Sequence, residues 1–194
     1  MHKTRLTNIF RPVYPSPAGL IVSIDENKNP NVMTAGEVFN IGLRNPTIIG
    51  IAIRKATYTY ELILKSKQFT VNLPTVAILE KVDLVGTVTG RGGFNKFTAY
   101  GLTLIPSDEI DAPIIVECPV NLECKMLNVS EVGDHDLILG EVVAMHVDSD
   151  KLNDNPNDRQ QVLMDKVDGF LFGEWGYYRI GEKLGEMGFS RNNR

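Results

Sequence analysis

Val120-Asn121-Leu122-Glu123-Cys124-Lys125-Met126, followed after a polar turn by Leu137 to Val147, is the stretch on which the fold turns. In the first segment Val120, Leu122, Cys124 and Met126 alternate with Asn121, Glu123 and Lys125. A period of two is the mark of a strand with one buried and one wet face. Glu131-Val132-Gly133-Asp134-His135-Asp136 supplies the turn. Leu137 to Val147 is long and largely apolar on both faces, which suits a barrel wall that also packs on a partner subunit.

Working outward, the same signals recur. Gly19 to Asp25 is a β-branched apolar run, Glu26 to Asn31 is a turn cluster, and Val32 to Phe39 resumes the strand pattern, so a second hairpin is predicted. Ile48 to Ile53 is apolar at every position but Gly50, as in a strand covered on both sides, and Phe69 to Leu73 is a further short strand. Helices are few: Thr59 to Lys65, Thr75 to Val85 with Thr75 as N-cap after Pro74, and Arg159 to Val167. Asp148 to Asp158 reads as a polar loop rather than a linker, and no internal repeat is present. Many strands, short turns and few helices predict a mainly β chain: one antiparallel barrel domain over 1–194 with peripheral helices.

Composition narrows the function. The chain has 194 residues, 43% hydrophobic and 23% charged, enough to bury a core without staples. A net charge of −4 argues against nucleic acid or an anionic membrane as partner. The N-terminal stretch carries Lys3, Arg5 and Arg11 but no apolar core of a signal peptide, and the apolar runs are strand-length, so no membrane association and a cytoplasmic location are expected.

The chemistry concentrates in Arg54-Lys55-Ala56-Thr57-Tyr58-Thr59-Tyr60-Glu61-Leu62. A strand ends in two cations, two hydroxyls follow, and a helix begins. Helix N-termini present unpaired N–H groups and partial positive charge, so a guanidinium, an ammonium and hydroxyl donors beside one suit a phosphate. An ordinary N-cap with solvated charges is the competing reading.

These residues, with Phe69-Thr70-Val71-Asn72-Leu73-Pro74, resemble the flavin reductase-like, FMN-binding split-barrel family that includes flavoredoxins. Asn31-Val32-Met33-Thr34-Ala35, Gly86-Thr87-Val88-Thr89-Gly90-Arg91, Asn95-Lys96-Phe97, Gly133-Asp134-His135 and Gly176 to Glu182 follow in the family's order, and the resemblance runs from about Arg11 to Glu182. It implies an antiparallel split β-barrel binding FMN. Arg54, Lys55, Thr57 and Thr59 would form the phosphate end; Met33, Thr34, Ala35 and Gly36 would line the isoalloxazine. Lys96 would approach the ring's pyrimidine oxygens and His135 would come near the ring from the dimer mate. Phe39 stands where many relatives carry a tryptophan that stacks on the cofactor. The resemblance implies a homodimer using NAD(P)H or a redox protein as electron donor. Two activities stay open: a flavin reductase passing hydride from NAD(P)H to flavin, and a flavoredoxin-like electron carrier without nicotinamide activity of its own. A barrel that has lost its cofactor is a third reading, opposed by the intact Arg54 to Thr59 run.

Other signals are weaker. Gly90-Arg91-Gly92-Gly93 lacks the spacing of a dinucleotide fingerprint, and Asp148 to Asn153 fails as a calcium loop. Cys118 and Cys124 flank an apolar strand about 20 Å long and read as buried small hydrophobes on one face, not a disulfide. Three scattered histidines give no metal site; His146 reads as a satisfied core residue, while His135 reads as a turn residue on the residues alone. Trp175, Tyr177 and Tyr178 cluster as core aromatics, one of which could reach a cofactor.

Overall fold

A computed structural model describes residues 4–5, 7, 12–13, 15–155 and 160–193; His2 and Arg159, the expected start of the third helix, lie outside them. The strands are β1 Ser16–Pro17, β2 Gly19–Ile24, β3 Pro30–Ala35, β4 Val38–Leu43, β5 Thr47–Arg54, β6 Gln68–Leu73, β7 Leu104–Ile105, β8 Ile114–Ile115, β9 Val120–Glu131, β10 His135–Val147, β11 Phe170–Phe172 and β12 Tyr177–Arg179. The helices are α1 Tyr58–Ser66, α2 Leu79–Thr87, α3 Lys96–Tyr100 and α4 Met164–Val167.

Seven strands form one antiparallel sheet in the order β3-β2-β6-β9-β10-β5-β4. Its outer strands curl toward each other, bringing β3 against β5 without pairing to it, so the sheet is a barrel split along one seam. The β9–β10 hairpin forms the back wall, with Val147 opposite Val120 and Asp136 opposite Glu131. Gly140 sits where that wall meets the core. A Cβ there would lie 2.6 Å from Phe69 Cζ, and Phe69 is fully buried.

Alternation along β2 divides the interior in two. Leu20 and Val22 face an outer cluster with Val32, Val82, Val85, Phe97 and Ile115, under α2 and α3. Ile21 faces the barrel cluster of Ile51, Ile53, Ile63, Phe69, Val71 and Ile138. The two cysteines part company here: Cys118 joins the outer cluster and Cys124 the barrel cluster, so they share no face. Both are buried, which raises their thiol pKa values.

Three expectations are corrected. The strand read as Val32 to Phe39 breaks at Gly36-Glu37, and Phe39 belongs to β4, paired with Gly50 of β5. Ser16 Oγ donates to the Gly36 carbonyl at 2.5 Å, tying the break to β1 instead of to a continuing ladder. The helix read as Thr75 to Val85 splits into a 3-10 turn over Val76–Ile78 and α2, and the Thr75 side chain makes no cap hydrogen bond. The third helix shrinks to α4, because Leu152 bridges Val162 and Leu163 N–H donates to the Lys151 carbonyl, keeping that stretch extended.

Candidate functional site

The seam between β3 and β5 opens into two adjoining cavities of about 450 and 260 Å³ that share Met33, Thr34, Thr57, Gly86 and Thr87. The wider arm has a floor of Met33 to Glu37 and walls from Ala52, Ile53, Arg54, Asp83, His135, Phe172 and Tyr177. The narrower arm is rich in hydroxyls, with Thr57, Tyr58, Thr59, Thr87 and Thr89 beside Asn31, Gly90 and Lys96. Hollows of about 580 and 780 Å³ lie elsewhere, and none of the residues expected to meet a cofactor lines either one.

The β5–α1 junction explains the narrow arm. Thr57 caps α1: its side chain accepts from Tyr60 N–H at 3.3 Å and donates to the Arg54 carbonyl at 2.9 Å. That hydroxyl is committed to the turn, so Thr57 offers a ligand the adjacent helix-start N–H groups rather than its own proton. Thr59 differs. It is buried and its oxygen accepts from Asn31 Nδ2 at 2.8 Å, which leaves its proton directed to other acceptors.

Lys96 carries the arm's charge. Asn95 caps α3 by accepting from Thr98 N–H at 3.1 Å and so aims Lys96 inward. Lys96 is 4% exposed, and its ammonium donates to the Val32 carbonyl at 2.8 Å and the Val85 carbonyl at 2.9 Å. Among the described residues no carboxylate lies within salt-bridge reach of it, and burial pushes its pKa down to about 8. An ammonium has three N–H donors, so one remains for a ligand.

Of the residues expected to meet a cofactor, Met33, Thr34, Ala35, Gly36, Arg54, Thr57, Thr59, Lys96 and His135 all line one arm or the other. Lys96 sits in the hydroxyl-lined arm with Thr57 and Thr59, apart from the main length of the floor. Thr34 Oγ1 donates to the Val82 carbonyl at 2.5 Å, so it locks β3 to α2. His135 lies opposite Arg54 in the β5–β10 register and lines the cavity of its own chain, bonded to Asp134 at 3.0 Å; no partner is needed to bring it there.

Two expected residues do not converge. Phe39 lines neither arm and is 36% exposed on β4. Lys55 turns away from the cavity to Glu131 at 2.7 Å and Asp136 at 3.5 Å, and the Glu131 hydrogen bond, followed by the Asp136 charge, raises its pKa. Asp83 is a wall residue that sequence reasoning missed, since a carboxylate on an amphipathic helix gives no signal. Tyr177 OH donates to Asp83 at 2.9 Å; burial and that bond push the phenol pKa up to about 12. Trp175 and Tyr178 are 80% and 58% exposed, so of that aromatic cluster only Tyr177 reaches the site.

The remaining histidine has a different setting. His146 Nε2 lies 2.6 Å from the fully buried Glu123, whose carboxylate also accepts Asp108 and Glu109 N–H at 2.8 and 2.7 Å. That carboxylate ties the 108–109 loop to β9 and β10.

Comparison with known proteins agrees with this architecture. The profile of the flavin reductase like domain matches residues 10–168. An uncharacterized protein of Archaeoglobus fulgidus is 38% identical over 141 residues, spanning 73% of this chain and 77% of the relative. The NADH:riboflavin 5'-phosphate oxidoreductase of Streptomyces pristinaespiralis is 26% identical over 132 residues, 66% of this chain and 69% of the relative. Among solved structures, the flavoredoxin of Desulfovibrio vulgaris (Miyazaki F) superposes with a TM-score of 0.85 at 29% identity, over 98% of this chain and 100% of that one. A split barrel of this topology, matched along most of its length, makes the chain a member of the flavin reductase-like domain family.

Proposed function

We propose that the chain is a single FMN-binding oxidoreductase domain of flavin reductase type, passing hydride from NAD(P)H to flavin. The observation that carries this reading is Lys96: a buried lysine with no carboxylate partner among the described residues, in a hydroxyl-lined arm that opens off a larger one. A buried charge is costly unless something compensates it, and an anionic ligand would do so. The wider arm suits a planar ring with polar edges, because its floor is the β3 backbone and its walls mix Ala52 and Phe172 with Arg54 and His135. The residues therefore fit FMN, which when bound supplies the hydride-accepting chemistry.

The protein's own tasks follow from its groups. Thr59 and the start of α1 would donate to the phosphate, with Lys96 supplying charge in the same arm. Met33 to Gly36 would carry the ring on backbone that Thr34 anchors to α2. Arg54 and His135 stand at the wall of the ring arm and would meet the anionic part of an incoming nicotinamide dinucleotide. Phe172 and Tyr177 exclude water from one side, and the Tyr177 phenol, held neutral, acts as a hydrogen-bond donor to Asp83 and not as an acid. The Streptomyces relative, named for reducing riboflavin 5'-phosphate with NADH, supports this assignment.

An absorbance spectrum of the purified protein tests it: flavin bands after FMN addition that bleach with NADH or NADPH are expected, and a protein that takes up no FMN would sink the reading. The electron-carrier alternative draws on the near full-length match to flavoredoxin. Flavin bands that persist with either nicotinamide, yet bleach with a reduced ferredoxin, would favour it.

We also propose a homodimer. β4 is a sheet edge with Ile41 50% and Leu43 75% exposed, and on the β10 wall Met145 is 52% exposed; uncovered edges of that kind invite pairing. Mass in solution decides this, and a monomer at all working concentrations would rule it out.

A further inference from the structure

Asp136 is a buried carboxylate that the proposed function does not use. It is fully buried at the start of β10, facing the barrel interior on the same side as Ile138. Its Oδ2 accepts from Tyr60 OH at 2.6 Å. Its Oδ1 is buried with no hydrogen-bond partner among the described residues and lies 3.5 Å from Lys55 Nζ. A hydrophobic residue would fill this place at lower cost, since burying a carboxylate with one oxygen unbonded forfeits solvation that a single ion pair recovers only in part.

The partners show what the carboxylate holds. Lys55 and Tyr60 flank Thr57, the cap of α1, by two and three residues, and both reach back to the same side chain. Lys55 also binds Glu131 across the hairpin at 2.7 Å. The turn from Arg54 to Thr57 is thus gripped at both ends, and the residue next to Asp136 is His135, opposite Arg54. Three cavity residues from two strands and a helix start share one bracket.

We infer that Asp136 is a positioning residue for the phosphate-binding turn: through Tyr60 and Lys55 it fixes the start of α1 against β10, so that the site discriminates phosphorylated from unphosphorylated flavin. This rests on the reading of the narrow arm as the phosphate end. Charge-assisted bonds to phosphate are steep in geometry, whereas ring contacts on β3 lie on a different strand and tolerate a small shift of α1.

The test is a pair of fluorescence titrations, with FMN and with riboflavin, on the full chain and on Asp136→Asn, Tyr60→Phe and the double variant. Asp136→Asn should weaken FMN about tenfold, the loss expected from one misplaced charge-assisted hydrogen bond, while riboflavin moves by less than about twofold. Tyr60→Phe, which removes one oxygen at constant shape, should shift the FMN-to-riboflavin ratio in the same direction, and the double variant should add little to Asp136→Asn. Equal losses for both flavins would mean a merely structural carboxylate and would overturn the inference. Should Asp136→Asn fail to fold, Tyr60→Phe alone decides, an unchanged ratio refuting the bracket. If the wild-type chain binds neither flavin, the reading of the site falls and this inference with it; if it binds both equally, only the inference falls.

Discussion

Raising the pH should loosen the grip on an anionic flavin by discharging Lys96. In the free protein its pKa lies at about 8, against 10.5 for an ordinary lysine, because the side chain is buried with no countercharge among the described residues. A bound phosphate favours the charged form and pushes the pKa back up. Below pH 8 the lysine is protonated with or without ligand, so affinity is flat there. Above pH 8 every binding event must take up a proton, and affinity falls by up to tenfold per pH unit until the ligated value is reached. A phosphate that restores the ordinary value of 10.5 makes the total loss roughly 300-fold. FMN titrations from pH 7 to 9.5 measure this with the phosphate dianionic throughout, since its second ionisation sits near 6. Lys96→Met should bind about tenfold more weakly at pH 7, the worth of a hydrogen bond to a charged group, and should show no break near pH 8. A wild-type profile that stays flat through pH 9.5, or an identical slope in Lys96→Met, would refute the assignment of the charge to this arm.

Further expectations follow from single contacts. Thr59→Val keeps the shape but strands the buried Asn31 amide, so stability should drop by about 1–3 kcal/mol in urea melts and FMN affinity should fall as well; retained affinity would remove Thr59 from the phosphate end. Gly140→Ala drives a Cβ into the Phe69 ring and should cost about 1–3 kcal/mol, lowering Tm by several degrees, and an unchanged Tm would mean the β9–β10 wall is more pliant than its packing suggests. At Glu123, burial raises the carboxyl pKa, but the bonds from Asp108 N–H, His146 and Glu109 N–H outweigh it and hold the net value below the ordinary range. Its contribution is therefore present above the ordinary glutamate pKa and lost as pH falls through the lowered one. Glu123→Gln should be less stable than wild type at neutral pH, the gap closing in acid, and parallel stability curves down to pH 3 would contradict this.

Legibility in the sequence followed the range of the interactions. The β9–β10 hairpin and the Thr57 region were readable because strand alternation and helix capping are written within a few residues. The break at Gly36-Glu37 was not, since it depends on Ser16, twenty positions away, capturing the Gly36 carbonyl. Lys55 illustrates the same limit within the site. Two adjacent cations after a strand look equivalent, yet Arg54 stays on the cavity wall while Lys55 is drawn off by Glu131 and Asp136 from a hairpin that sequence proximity does not reveal. The pairing of Tyr177 with Asp83 joins residues 94 apart, and nothing local announces it.

β3 is flanked by both hydrophobic clusters, with Val32 in the outer one and Ala35 in the barrel. Opening a strand held from both sides loosens the whole molecule, so the β3 amides that bond to β2 should exchange with solvent only on complete unfolding. A cofactor lying along that strand would then couple to the cooperative transition of the entire chain rather than to a local flap. Heating curves taken with and without flavin would in that case report true affinity, the melting point rising with each tenfold of ligand by a fixed increment of free energy.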